Sequence, residues 1–215
     1  MISTRDLTQL PDITRLRKLL QSIAMLDAIL SPDWESRYYS FNSKWSDHSQ
    51  MGSMRDGSGD SFFVLFNAAG CFLKGFAHES EMTPYRKTPK SVWPGVLDFV
   101  PKAFEEGLNE PAFEMEDVTY CIWRATSDSI WNCGKIEFPE RSDPDGSADH
   151  LKILDGNPET YQAWASKYYR QDIEMSAVQK VYEHQPISKQ LVALLNPEIM
   201  LSELKNDIQE NGYPS

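Results

Sequence analysis

"SFFVLFNAAGCFLKGF", Ser61–Phe76, is the stretch on which the fold turns. Two runs, Ser61–Phe66 and Cys71–Phe76, are rich in Phe, Val and Leu and flank the turn "NAAG". Short runs of β-branched and aromatic residues bounded by a Gly-containing turn read as an antiparallel hairpin. Upstream, "RYYSFNSKW" and "QMGSMRDG" read as two more short strands, so an antiparallel meander is expected between about residues 36 and 77.

Working outward, the texture changes after the hairpin. Prolines at 84, 89, 94, 101 and 111 forbid long regular elements over residues 78–117. This region reads as a long crossover inside one domain, with short helical pieces around Trp93–Phe104 and an exposed acidic segment, "EEGLNEPAFEMED". "VTYCIWRA" and "SIWNCGKIEF" return to strand composition, and "HLKIL" reads as a last short strand. The strand-rich core then spans residues 36–155 with about six to seven strands.

Helices flank this core. Over residues 12–30, Ile13, Leu16, Leu20, Ile23 and Leu30 fall on one stripe, widened by Leu19 and Leu26. Asp12 is placed to cap its start and Pro32 to stop it. Residues 157–210 form a helical C-terminal third. Asn157-Pro158 is a start signal ahead of Tyr161, Trp164, Ala165, Tyr168 and Tyr169, and Asn196-Pro197 repeats it ahead of Ile199, Leu201, Leu204 and Ile208. Two shorter helices are expected at about 174–184 and 188–195. Segregated strands and helices mean an α+β fold, with an N-terminal helix and C-terminal helices packed on an antiparallel sheet.

Composition bounds the partners. A 215-residue chain that is 40% hydrophobic and 12% aromatic is globular and needs neither metal nor disulfide to complete its core. Its net charge of −11 disfavours nucleic acid and an anionic membrane surface, and suits docking onto a basic protein. Three cysteines, Cys71, Cys121 and Cys133, lack zinc-like spacing and read as buried free thiols. With no signal-like N-terminus and no long apolar run, a cytoplasmic protein is expected. The aromatics Trp34, Tyr38, Tyr39, Phe41, Trp45, Trp93, Trp123 and Trp131, and the stripe Tyr161–Tyr169, read as core at these spacings.

The hairpin also gathers chemistry. If its strands pair, the loop before the first and the residues after the second share one end of the sheet. That juxtaposes Arg55, Asp56 and Asp60 of "RDGSGD" with His78, Glu79 and Ser80 of "GFAHES", the candidate ligand-binding patch. Asp56, Ser58 and Asp60 resemble half of a calcium loop. Counting from Asp56, however, the required Gly and Glu positions hold Ser61 and Asn67. The loop reads first as a turn whose carboxylates satisfy backbone N–H groups. "DGSADHLKILD" at 145–155 echoes "DGSGDSFFVLF" at 56–66, so Asp145 and Asp149 join Asp56 and Asp60 as weak metal candidates. The other histidines, His48, His150 and His184, are scattered in the chain. No phosphate-binding loop, dinucleotide fingerprint or nucleophile elbow is present, so no cofactor and no catalytic residue is assigned.

The runs "SMRDGSGDSFFVLF…GCFLKGFAHESEMTPY", "VWPGVLDFVPKAF" and "ILDGNPETYQAWASKYY" resemble a group of uncharacterised bacterial proteins over about residues 30 to 195. The resemblance implies a bacterial cytoplasmic origin and transfers no activity or site. Two functions are expected to compete. The first is a non-enzymatic acidic binding protein, such as a toxin-neutralising immunity-type protein with a basic partner. The second is a metal-assisted hydrolase using Asp56, Asp60, His78 and Glu79.

Overall fold

The computed structural model describes residues 1–214. Six antiparallel strands form one sheet in chain order: β1 (Tyr39–Asn42), β2 (Gln50–Arg55), β3 (Ser61–Asn67), β4 (Gly70–Phe76), β5 (Tyr120–Ala125) and β6 (Asn132–Cys133). The hairpin pairs Ser61 with Phe76 and Asn67 with Gly70. The meander read upstream of it is present. The crossover returns the chain to β4, where β5 pairs in register Gly75 to Tyr120. The protein is α+β.

Alternation along each strand sends side chains to two separate cores. Phe62, Val64, Phe66, Cys71, Leu73, Tyr120 and Ile122 face the helices. Leu65, Phe72, Cys121 and Trp123 face the crossover, where Phe104, Phe113 and Val118 cover them. Every residue of β4 is buried, because both faces of the sheet are covered. Lys74 is buried too, donating from Nζ to the Asp117 carbonyl at 2.8 Å, and burial lowers its pKa to about 8.

The acidic segment expected to be exposed is therefore divided. Glu105, Glu106, Glu114 and Glu116 do face solvent, but Phe113 between them is fully buried and stacks on Phe63 at 5.1 Å. Its regular pieces are the short helix α2 (Glu105–Asn109) and a 3-10 turn over Pro111–Phe113. An acidic run hides its apolar residues from a composition reading, because only periodicity reveals a buried face and prolines abolish periodicity.

On the other face lies α1 (Ile13–Leu30), capped by Asp12, which accepts the Arg15 N–H at 2.9 Å. The expected stripe is only half the account. From Leu19 onward nearly every residue of α1 is buried. The helix is sandwiched between the sheet and α4 (Pro158–Tyr169), α5 (Met175–Tyr182), α6 (Lys189–Leu195) and α7 (Lys205–Asn211). Asp27, in its last turns, is fully buried. It accepts the Tyr39 N–H at 2.8 Å, the Tyr38 N–H at 3.1 Å and the Tyr161 hydroxyl at 2.7 Å. One carboxylate thus joins α1, the start of β1 and α4.

Three local expectations are corrected. "HLKIL" is not a strand: Ser147–Leu151 is a helix, α3, continued by a 3-10 turn over Lys152–Asp155. The Asp143 carboxylate accepts the Ala148 and Asp149 N–H groups, each at 3.0 Å, and so nucleates a helix where a short apolar run fitted either period. "SIWNCGKIEF" pairs only at Asn132–Cys133. Beyond it the backbone of Gly134 abuts Gly95 of the crossover, where a Cβ on Gly134 would stand 1.8 Å from the Gly95 carbonyl oxygen. Asn196-Pro197 does not start a helix. Asn196 instead accepts the Glu198 N–H and donates to the Ile29 carbonyl, and α7 begins only at Lys205.

The aromatic expectation also splits. Trp123 and Trp131 are buried, whereas Trp34 is 51% and Tyr168 is 45% exposed.

Two measurements test this architecture. Burial raises the Asp27 carboxyl to about 6, above an unfolded value of roughly 3.9. Between those values the native state holds a proton that the unfolded state releases, so this group's contribution to stability falls as pH rises from about 4 to 6, by roughly 3 kcal/mol in total. Denaturant melts across this window are expected to show that decline in the wild type and its loss in Asp27→Asn. Phe113→Ala is expected to lower global stability by about 3–5 kcal/mol. A loss confined to local opening of the crossover would contradict its place in the core.

Candidate functional site

The site is built at the end of the sheet where β3 begins and β4 finishes. Arg55 closes β2, and its backbone N–H donates to the Tyr38 carbonyl at 2.9 Å. The loop that follows is wound around Asp56, whose Oδ1 accepts the N–H groups of Ser58 at 2.7 Å and Asp60 at 2.9 Å. Gly57 and Gly59 take positive φ of 74° and 116°, which the tight reversal needs. Gly59 also passes against the His78 ring, where a Cβ would lie 3.1 Å from Cγ.

Asp60 then stands beside the end of β4. Its Oδ1 accepts the His78 backbone N–H at 2.8 Å and lies 2.7 Å from His78 Nδ1. Its Oδ2 lies 3.1 Å from Nε2 of His150, whose Nδ1 is 3.1 Å from the Tyr120 hydroxyl. An ionised carboxylate only accepts, so Nδ1 of His78 and Nε2 of His150 carry the protons. The chain of contacts runs His78–Asp60–His150–Tyr120 from a half-exposed imidazole into the core.

Electrostatics follow the geometry. Burial works to raise the Asp60 carboxyl, but the hydrogen bonds from His150 and His78 prevail and hold it well below the usual carboxylate range. The hydrogen bond to Asp60 raises His78 above its ordinary value. Glu79 is exposed, with Oε1 3.8 Å from His78 Nε2. Chemically, His78 is a carboxylate-oriented imidazole whose second nitrogen faces outward, an arrangement able to exchange a proton.

The other expected residues are spread around this hub. Arg55 is exposed and lies over the Trp34 ring at 4.9 Å. Ser80 closes a turn through its N–H to the Ala77 carbonyl, and its hydroxyl is buried without a partner among the described residues. Asp145 is buried, not a free ligand. It accepts the Thr4 hydroxyl at 2.5 Å, the Ser147 hydroxyl at 2.7 Å and the Ser147 N–H at 3.0 Å, and burial raises its carboxyl. Asp149 is exposed at the first turn of α3 and pairs with Lys152. Among the described residues, no three or more His, Cys, Asp or Glu side chains are grouped to hold a metal ion.

The two Asp-Gly-Ser loops do meet, through His150 on Asp60. His150 read as scattered because it is far in sequence from Asp60, and Tyr120 read as one more strand aromatic. Only the doubled turn motif pointed to this juxtaposition. Thr119 completes the tie, accepting the Ala77 N–H at 3.1 Å and donating to the Asp145 carbonyl at 2.7 Å.

Next to this hub is an aromatic ladder. Tyr38 packs edge-on to Trp164 at 4.9 Å and to Tyr168 at 5.1 Å, while Trp164 and Tyr168 stack at 5.2 Å. Burial raises the Tyr38 phenol, and its carbonyl accepts the N–H of Arg55, the residue that leads into the 56–60 loop, so this loop adjoins the ladder.

Asp60→Asn removes a charged acceptor from two imidazoles and is expected to cost about 1–3 kcal/mol at neutral pH. In NMR titration His78 should return toward 6.5, the ordinary histidine value. An unchanged His78 titration would show that Asp60 does not set its charge.

Comparison with family models, with curated proteins and with solved structures finds no match for this chain.

Proposed function

We propose that this chain is a non-enzymatic binding protein whose acidic and aromatic face takes a basic segment of a partner protein, as a toxin-neutralising immunity-type protein would. One observation carries the reading: two acidic segments, 56–60 and 143–149, converge where His150 meets Asp60, and the Arg55 N–H that leads into the first bonds the carbonyl of Tyr38, which packs with Trp164 and Tyr168. Carboxylates steer a basic partner, and aromatic faces hold Lys or Arg by cation–π contact. Arg55 over the Trp34 ring is an instance of that contact within the chain itself. Tyr and Trp are also the side chains on which interface energy concentrates.

The hydrolase reading ranks second. Both oxygens of Asp60 and one of Asp56 are already engaged by histidines and loop N–H groups, so a metal would have to displace those contacts.

A synthetic Lys- and Arg-rich peptide is the probe. Its amide shift changes are expected to centre on Tyr38, Asp56, Asp149, Trp164 and Tyr168, with affinity falling steeply as salt rises. Asp56→Asn with Asp149→Asn keeps the loop acceptor and is expected to weaken binding about tenfold or more. No shift changes, or changes centred elsewhere, would overturn the reading. Chelator-treated protein melted with calcium, magnesium, manganese or zinc tests the alternative. A rise of about 5–10 °C with one metal, lost in His78→Ala, would favour the hydrolase.

A further inference from the structure

We infer that the groove between the start of α6 and α7 binds an amphiphilic carboxylate, a single-chain fatty acid in its simplest form. The groove lies in the C-terminal helices and does not depend on the acidic and aromatic face.

Its walls come from three pieces of chain. Ile187 precedes α6, Ile199 and Leu201 belong to the turn that replaces the expected helix start, and Ile208 lies on α7. Met200, 65% exposed, stands at the rim. The cavity measures about 630 Å³, within the range of roughly 300–1,000 Å³ typical of small-ligand sites. An apolar floor of this kind accepts an alkyl chain.

The charges choose the head group. Acidic residues outnumber basic ones by 32 to 21 in this chain, yet the two charged side chains lining the groove are Lys189 and Lys205. Both are exposed, and neither makes an ion pair among the described residues. They open α6 and α7 respectively, so two ammonium groups border the apolar floor from different helices. An apolar groove with unpaired cations at its edge selects an apolar chain with an anionic end, and disfavours the same chain with a cationic one.

Dodecanoate below its micellar concentration is the probe, followed by amide shifts and calorimetry. Shift changes are expected at Ile187, Ile199, Leu201 and Ile208, with affinity rising about fourfold for each methylene buried along a homologous series. Dodecyltrimethylammonium is expected to bind at least tenfold more weakly. Lys189→Glu with Lys205→Glu should reverse that order. Glutamate is favourable in the first turn of a helix, so the double variant is expected to fold. Equal binding of the two head groups would reduce the groove to a bare apolar patch and overturn the inference. Dodecanoate shifts mapping elsewhere, or no binding, would do the same. So would sedimentation showing a dimer that covers the groove. None of these outcomes bears on the basic-peptide experiment, which reads a different face.

Discussion

The buried carboxylate of Asp27 is the constraint around which the helical side of the molecule is arranged. A charge in the buried part of an apolar helix is costly unless its lone pairs have donors. Here the donors are the N–H groups that open β1 and the hydroxyl of Tyr161 on α4. Any shift of α1 along the sheet would leave a carboxylate without partners in a dry core. The interaction therefore fixes register as much as it stabilises. It lets α1 be buried on both sides while the C-terminal helices pack outside it. Ser22 does similar work five residues earlier, donating to the Val181 carbonyl of α5 at 3.0 Å.

The sheet divides the interior, and its two covers are unlike. The helical cover uses periodic apolar stripes. The crossover uses isolated large residues, Phe104 and Phe113, held by turns and proline-limited geometry. Close backbone approach allows this. Gly107 lies against the Phe72 ring, where a Cβ would come within 2.6 Å of Cδ1. Gly75 lets the Tyr120 ring cross the hairpin, where a Cβ would come within 2.0 Å of Cζ. That crossing brings the Tyr120 hydroxyl to His150, so packing inside the sheet and the polar hub at its end share one side chain.

The hub shows how much of the site was legible. Adjacent strands of a hairpin return to the same end, so Asp60 and His78 could be paired from spacing alone. The turn role of Asp56 was legible for a similar reason, since Asp-Gly and Ser-Gly define local backbone geometry. His150, Tyr120 and Thr4 were not legible. Each reaches the site across long sequence separation, and nothing in local periodicity encodes which loop lies over which. Asp145 and Asp149 illustrate the same limit: equal in the motif, one is buried and satisfied by Thr4, the other exposed.

By itself the sequence determined the α+β class, the hairpin and meander, the capped first helix and the acidic balance of the surface. These depend on neighbours within a few residues, through side-chain period, turn chemistry and capping. Tertiary structure alone decided that "HLKIL" is helical, that the strand after Trp131 stops at Cys133, and that α1 is buried on nearly every side from Leu19 onward. It also decided that the two Asp-Gly-Ser loops close on one another, and which charges border the C-terminal groove. Those outcomes depend on contacts between segments remote in sequence, where burial and close backbone approach outweigh local preference.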